Sequence, residues 1–549
     1  MRGLAELELF DSFPEGFEPN EAQKYIIEQI GQAIDEGKKF IVINAPTATG
    51  KSFIAKTVAN YSVEPLHSFV EAVESFSIFD DEIVFDDDVL SPFGTAILTV
   101  TKNLQDQYIE MFEDGDALKG KSNYPCSIID GFSCENGMCV YVQKQLKSCI
   151  NNKCCPYFEQ RRKALTNRCS FYNYAMFCKL HPNVKNKEFI ICDEASELEA
   201  ELVSLYTFEF LIQELNKIDS FMPPTPGIGE SNNSYYKWVK SISCRCEQLY
   251  GQYIVELSKE FKTNKKKKKL TKEEQRKLSL LGRYKEMTKN VLDVWNDTEY
   301  IVKREHGKII FQPYNVDKLS QRIFKHGKTV ILMSATIVDH KSFARVLGIN
   351  DYHYIEAKMT LESEKAPIKC TNRFKLNYRN KAEVLPLMCN AVEAICEYHK
   401  NQKGIIHTHS MDVLSYLKRY VTNQDRFLYR EEGVTNEQIL EAHKNTDEPT
   451  ILVSPSMTHG VDLKGKLGEF QVIMKAPYLP LNDERIKKKF NEDKEWYLNS
   501  MLSTLIQMCG RCNRTADDYS VTYVLDGNIL DALKRCSSKL PRYFLDRFS

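Results

Sequence analysis

The 549-residue chain has no long uncharged apolar run, which excludes a membrane-spanning helix. It has no excess of either charge: 74 Lys and Arg stand against 75 Asp and Glu, a net charge of −1. A balanced total neither supports nor excludes nucleic-acid binding, because a groove needs only local positive charge. The opening Met1-Arg2-Gly3-Leu4-Ala5-Glu6 carries an acid where a signal peptide needs an apolar core. An intracellular protein is therefore expected, cytoplasmic or, in a eukaryote, nuclear. No nuclease motif is evident, so no strand cleavage is expected. Lys and Arg are absent from Glu64 to Asp88, a stretch that carries Asp80-Asp81-Glu82 and Asp86-Asp87-Asp88 and reads as a solvated surface insertion.

The cysteines lack the two C-x-x-C pairs of a zinc ribbon. Of the 17 in the chain, Cys126, Cys134, Cys139, Cys149, Cys154, Cys155, Cys169 and Cys178 crowd into one window. A reducing compartment argues against a disulfide framework. Thiolates at irregular spacing suit a [4Fe–4S] cluster; the alternative is a set of buried free thiols.

What the chain does have begins with Ala45-Pro46-Thr47-Ala48-Thr49-Gly50-Lys51-Ser52, which fits G-x-x-x-x-G-K-[ST] with Ala in the first position. Apolar Phe40 to Ile43 precede it and a helical pattern over Phe53 to Asn60 follows, giving the strand, tight loop and helix of a P-loop. Loop amides and the helix start would cradle phosphates. Lys51 would reach the β- and γ-phosphates, and the Ser52 hydroxyl would ligate Mg²⁺. Upstream, Asn20 is a candidate N-cap, and Gln23 either reads an adenine edge or faces solvent.

Phe189-Ile190-Ile191-Cys192 reads as a strand ending in Asp193-Glu194, suited to holding Mg²⁺ and to orienting or deprotonating an attacking water. Ala96 to Thr101 is a further strand, followed by Thr101-Lys102-Asn103 at a turn suited to phosphate contacts. Residues 200 to about 305 read as mostly helical, with a lysine run from Lys265 to Lys269. Strand patterns return at Thr329 to Met333, which run into Ser334-Ala335-Thr336, and then at Gly404, Thr450, Phe470 and Ser520. This alternation predicts a second doubly wound domain with no P-loop of its own. Gly460-Val461-Asp462 follows one of these strands. Gln507-Met508-Cys509-Gly510-Arg511-Cys512-Asn513-Arg514 continues a helical pattern, so Arg511 and Arg514, three apart, are expected on one helix face, where paired guanidiniums suit a polyphosphate.

Taken in order, these motifs resemble those of the superfamily 2 helicases, specifically the iron–sulfur branch typified by XPD and DinG. Ala45 to Ser52 resemble motif I, Thr99 to Gln107 motif Ia, and Asp193-Glu194-Ala195-Ser196 the DEAH box. Ser334 to Thr336 resemble motif III, Gly460 to Asp462 motif V, and Gln507 to Arg514 motif VI. Lys119 to Cys126 resemble the approach to the family's first cluster ligand, and Cys155-Pro156-Tyr157-Phe158 the last. The resemblance implies an α/β fold of two tandem RecA-like motor domains, with an iron–sulfur domain and a helical arch inserted in the first. The first motor domain would take residues 1–119, 171–200 and 306–345, the cluster domain 120–170, the arch 201–305 and the second motor domain 346–549.

The same resemblance implies ATP, Mg²⁺ and a [4Fe–4S] cluster. Gln23, Ala45 to Ser52, Gly460 and Asp462 would hold nucleotide, Ser52 and Asp193 would hold Mg²⁺, and Glu194 would position water. Gln507, Arg511 and Arg514 would reach across from the second domain. Cys126, Cys139, Cys149 and Cys155 would bind the cluster, with Cys134 or Cys154 as alternatives for an inner ligand. The implied activity is ATP-driven 5′-to-3′ movement of a monomer on single-stranded DNA, opening forked duplexes beside replication or repair proteins. An RNA or RNA/DNA-hybrid helicase, or an ATP-switched scaffold that binds nucleic acid without unwinding it, are the rival readings. The chain departs from the family pattern at Ser196, where His is usual, at Ala48, where Gly is frequent, and at Ser52, where Thr is usual.

Overall fold

The computed structural model describes residues 4–46, 49–75, 91–128, 131–135, 154–263, 271–357, 363–429, 434–455, 463–513 and 518–548. Its strands are, in chain order, β1 (Phe40–Asn44), β2 (Thr95–Thr99), β3 (Asp116–Leu118), β4 (Cys169–Asn173), β5 (Lys187–Cys192), β6 (Phe208–Leu211), β7 (Tyr300–Glu305) and β8 (Lys308–Pro313). They continue with β9 (Gly327–Ser334), β10 (His353–Glu356), β11 (Ile368–Phe374), β12 (Gly404–His407), β13 (Phe427–Tyr429), β14 (Ile451–Ser454), β15 (Phe470–Ile473) and β16 (Val521–Asp526).

A first sheet runs in the order β10-β1-β9-β5-β2-β4-β3, with every pairing parallel. Parallel strands are covered on both faces, which is why they read as unbroken apolar runs rather than alternating ones. The period of two still sorts their side chains. Ile41, Ile43, Ile97, Ile191, Ile331 and Met333 pack into one core, while Val42, Leu98, Ile190, Val330 and Leu332 pack into the other. A second parallel sheet runs β11-β16-β15-β12-β14-β13 and likewise has a core on each face. Both sheets match the expected tandem α/β architecture.

Residues 201–305 are not wholly helical. Two long helices, Asn232–Thr263 and Lys272–Val294, pack on a small antiparallel sheet of order β6-β8-β7. Phe210, Trp238, Tyr284 and Phe311 interlock between helices and sheet. The β7–β8 hairpin turns through His306 at φ 41° and Gly307 at φ 80°, the paired positive φ of a tight turn that matches strand twist. The acidic stretch after Glu64 is not solvated from its start. His67–Ser75 is a helix whose Phe69 and Val73 are buried in the first core, and residues 76–88 lie outside the described set. No helix among the described residues is long and apolar enough to cross a membrane.

Candidate active site

Three strands of the first sheet end side by side: Asn44 lies level with Ser334, and Cys192 with Leu332. Ligands of open parallel sheets gather at such carboxyl ends. Beyond β1, the Ala45 amide donates to the Ser334 carbonyl at 2.9 Å, which anchors the start of the loop to β9. The Thr49 hydroxyl closes the loop onto the Pro46 carbonyl at 2.8 Å. Gly50 sits at φ 78°, a backbone that favours glycine, and a Cβ there would displace the Gln23 side-chain amide. Gly50 offers no side-chain cap to the helix Lys51–Tyr61, so its first amides remain available to an anion. Lys51 Nζ folds back to within 3.5 Å of the Ala45 carbonyl. Thr47 and Ala48 lie outside the described residues.

Gln23 is placed differently from the adenine-facing expectation. Its side chain is buried, its Oε1 accepts from the Asn20 amide at 2.9 Å, and its Nε2 donates to the Gly50 carbonyl at 3.3 Å. Asn20 returns a bond to the Gln23 amide, completing a capping box on the helix Glu21–Asp35. Gln23 therefore braces the loop in this structure. Thr101 caps the helix Lys102–Met111, and Lys102 Nζ donates to Asn123 at 2.9 Å.

Asp193 and Glu194 follow β5. Asp193 is buried, its Oδ2 accepts from the Tyr108 hydroxyl at 3.0 Å, and its Oδ1 accepts from the Glu194 amide at 3.0 Å. Burial, with Glu194 adding to it, pushes the Asp193 carboxyl up to about 6, against the opposing pull of Lys51 and Tyr108. Tyr108, fully buried beside that carboxylate, is held well above the ordinary phenol range and so stays a donor; Ser52 lies near enough to oppose that rise in part. The Asp193 carboxylate is bonded to this phenol, and Ser52 lies close to it. Hard oxygen donors under electrostatic crowding suit Mg²⁺, which keeps much of its water and phosphate shell. Glu194 adopts φ 49°, a left-handed backbone that costs a non-glycine residue about 1–3 kcal/mol and clusters at functional sites.

Ser196, where the resemblance leads one to expect histidine, bonds to the residues at the end of β9. Its hydroxyl lies 2.8 Å from that of Ser334 and accepts from Thr336 Oγ1 at 2.8 Å. Two residues went unnoticed in the sequence. Tyr108 and fully buried Gln105 sit three apart on the core side of one helix, and polar residues on an otherwise buried face were the available signal.

In the second half, the helix Lys494–Cys509 carries Gln507 and stops at Gly510. Arg511 therefore lies in the turn beyond the helix, which corrects the expectation that it shares a helix face with Arg514. The stop is specific. The Gly510 amide turns back to the Ile506 and Gln507 carbonyls, and the Cys509 carbonyl is taken by Gln471 at 3.2 Å and Arg547 at 3.0 Å. Arg511 is buried, and its carbonyl accepts from the Leu463 amide at 3.3 Å. Burial, helped by Arg511, keeps His407 at the end of β12 neutral down to about 3. Gly460, Asp462 and Arg514 lie outside the described residues.

Of the expected cluster ligands, Cys139 and Cys149 also lie outside the described residues. The segment from Tyr124 to Cys134 folds back on itself through bonds from the Cys126 amide to Phe132 and from the Cys134 amide to Tyr124, each 2.8 Å. This sets Cys134 Sγ 3.6 Å from Cys155 Sγ. Burial, then Cys155, pushes the Cys134 thiol up to about 12, with Cys126 near enough to contribute. Thiols gathered this way have the chemistry of a thiolate-held metal, but no ligand set of three or more is assembled among the described residues.

Residues 392–546 match the helicase C-terminal domain family. Over 266 residues the chain is 24% identical to a Methanocaldococcus jannaschii protein named "Probable ATP-dependent helicase", covering 43% of this chain and 40% of that protein. The chain thus spans under half the length of this curated relative. A solved structure titled as an XPD helicase is similar at TM-score 0.60 and 14% identity, covering 95% of this chain and 98% of its own. The Xpd4 structure of S. tokodaii is similar at TM-score 0.52 and 14% identity, covering 94% and 98%. The fold is that of these XPD structures.

Proposed function

We propose that this chain of XPD-like fold is an ATP-dependent helicase that moves 5′ to 3′ along single-stranded DNA and opens forked duplexes. The observation that carries the reading is the convergence at the carboxyl edge of the first sheet. An uncapped helix start with Lys51 stands next to a crowded Asp193-Glu194 pair whose backbone is strained. Anion binding and cation binding are thereby favoured side by side, which is what a nucleotide–Mg²⁺ complex requires.

Lys51 and the loop amides hold the β- and γ-phosphates, and Gln23 keeps the loop in shape. Ser52 and Asp193 hold Mg²⁺, which supplies charge neutralisation on the phosphate oxygens when bound. Glu194 orients the attacking water and takes its proton. Gln507, Arg511 and Arg514 act from the second sheet on the charge that develops at the γ-phosphate. Gly460 and Asp462 complete that wall. ATP binding draws the two halves together and hydrolysis releases them, a hinge cycle that steps the strand. A [4Fe–4S] cluster would be held in the thiol-rich region by Cys126, Cys139, Cys149 and Cys155, with Cys134 or Cys154 as alternatives for an inner ligand. Anaerobically purified protein should be brown and carry about four irons per chain; stoichiometric zinc in colourless protein would overturn the cluster.

Strand separation tests the activity. A duplex with a 5′ single-stranded DNA tail should open with ATP and Mg²⁺, and one with a 3′ tail should not. Opening only RNA-tailed substrates would move the assignment to RNA. ATP hydrolysis without opening of any duplex would leave a nucleic-acid-dependent switch.

A further inference from the structure

Among the described residues, the stretch from Lys539 to Arg547 touches both halves of the chain close to the residues assigned above. It follows the helix Asn528–Cys536, whose Ile529, Ala532 and Leu533 pack with Leu505 and Ile506 in the core of the second sheet. Towards that sheet it sends Arg547. This guanidinium is buried, donates from Nε to the Ala366 carbonyl at 2.7 Å, and donates from Nη2 to the Cys509 carbonyl at 3.0 Å and to Asn513 Oδ1 at 3.4 Å. Those last two residues flank the Arg511 turn. None of these partners is a carboxylate. The cation is stabilised by carbonyl oxygens at the negative end of the Lys494–Cys509 helix. A residue that served only to fill this space would be better apolar, because a buried charge carries a desolvation penalty of several kcal/mol.

Towards the first sheet the same stretch sends Tyr543, whose buried hydroxyl donates to the Ala335 carbonyl. Lys539 Nζ pairs with Asp339 at 3.0 Å, and the Arg542 amide approaches Glu356 at 3.4 Å. Ala335 lies between Ser334 and Thr336, the two hydroxyls that hold Ser196, itself two residues after Glu194. The Tyr543 phenol is near enough to feel the charges of both Arg547 and Glu194.

We infer that residues 539–547 form a strut that sets the position of the Ser334-Ala335-Thr336 corner, and through it Glu194, relative to the Arg511 turn, with Tyr543 and Arg547 as positioning residues. The strut lies where the proposed nucleotide cleft would close, and in that sense the inference rests on the function proposed above. It adds an element that none of the sequence motifs contains. Closure is transmitted as one movement, because Tyr543, on the helix Arg542–Leu545, and Arg547, in the turn that follows it, are only four residues apart.

Hydrogen exchange on the whole chain tests this without requiring activity. In Arg547→Met, exchange should quicken about fivefold at residues 334–336, which Arg547 does not touch, as well as at 508–513. Quickening confined to 508–513 would overturn the strut. If Arg547→Met does not fold, Tyr543→Phe gives the reciprocal measurement: exchange should quicken at 508–513 as well as at 334–336, and a change confined to 334–336 overturns it. In turnover, Tyr543→Phe should lower nucleic-acid-stimulated kcat about tenfold with KM for ATP unchanged, whereas a wild-type kcat in that variant overturns the inference. A wild-type chain without ATPase activity would defeat the proposed function and leave the exchange result to judge the strut.

Discussion

The two ends of β5 carry buried ionisable groups of opposite kind, and only one end forms a site. At the amino end, Lys187 is almost wholly enclosed, its Nζ has no hydrogen-bond partner among the described residues, and it lies 4.3 Å over the Phe93 ring. Burial draws its ammonium down to about 8. At the carboxyl end, burial draws Asp193 up to about 6. The two perturbations have the same cause. What differs is company: Asp193 meets Tyr108, Lys51 and Glu194, whereas Lys187 meets a ring and the Cys169 thiol. A perturbed group marks function when convergent polar partners and an open strand end accompany it; a perturbed group alone marks a local cost.

The comparison breaks most sharply at Glu194. Glu194→Gln keeps the shape and the strained backbone but removes the base. ATP turnover should fall about a thousandfold while nucleotide binding persists. Nucleic-acid-stimulated turnover near wild type in that variant would strip the carboxyl end of its assigned chemistry.

Asp193 gives the next effect, and its sign is fixed by direction. A carboxyl raised to about 6 is mostly ionised at pH 7 and mostly protonated at pH 5. Protonated, it holds Mg²⁺ poorly, so apparent Mg²⁺ affinity should fall about tenfold between those two values. The measurement is ATPase activity against Mg²⁺ concentration at each pH. A flat profile would mean that Asp193 is not the group that meets the cation.

How much of this was legible in the sequence follows from range. β1, the P-loop and the helix after it are contiguous, and so are β5 and its two acids, so apolar runs and motif spacing were enough. In the second half β12, β14, β15 and β16 are legible for the same reason, whereas the edge strands β11 and β13 are not anticipated. The end of the Lys494–Cys509 helix differs from the motif-based expectation because Gly510, a motif residue, is also the stop. The β7–β8 hairpin was missed although Ile309 and Phe311 alternate with half-exposed neighbours, because the long helical patterns around it dominated the window. Contacts such as Tyr543 with Ala335, 208 residues apart, or Glu199 with Arg485, 286 apart, leave no local pattern to read. Ser196 is the opposite case: it departs from the pattern the chain resembles, and its hydroxyl still bonds to Ser334 and Thr336.

The smallest effect is expected at the amino end of β5, and it should appear in stability rather than in turnover. Lys187 has a lower pKa folded than unfolded, so the unfolded chain binds more protons wherever the pH lies between the two values. Stability should therefore rise as pH climbs from about 8 towards the ordinary lysine value of 10.5, and it is already at its low plateau at pH 7. Lys187→Met removes the charge and keeps the length of the side chain over Phe93. It should raise the unfolding free energy at pH 7 by about 1 kcal/mol, a fraction of the full pKa difference because the ring face already stabilises the ammonium. It should also flatten the pH dependence above 8 and leave ATP turnover unchanged. Denaturant titrations at pH 7 and pH 10 check both. A variant that lost stability at pH 7, or lost turnover, would mean that Lys187 has partners that matter and that the two ends of the strand are more alike than their surroundings indicate.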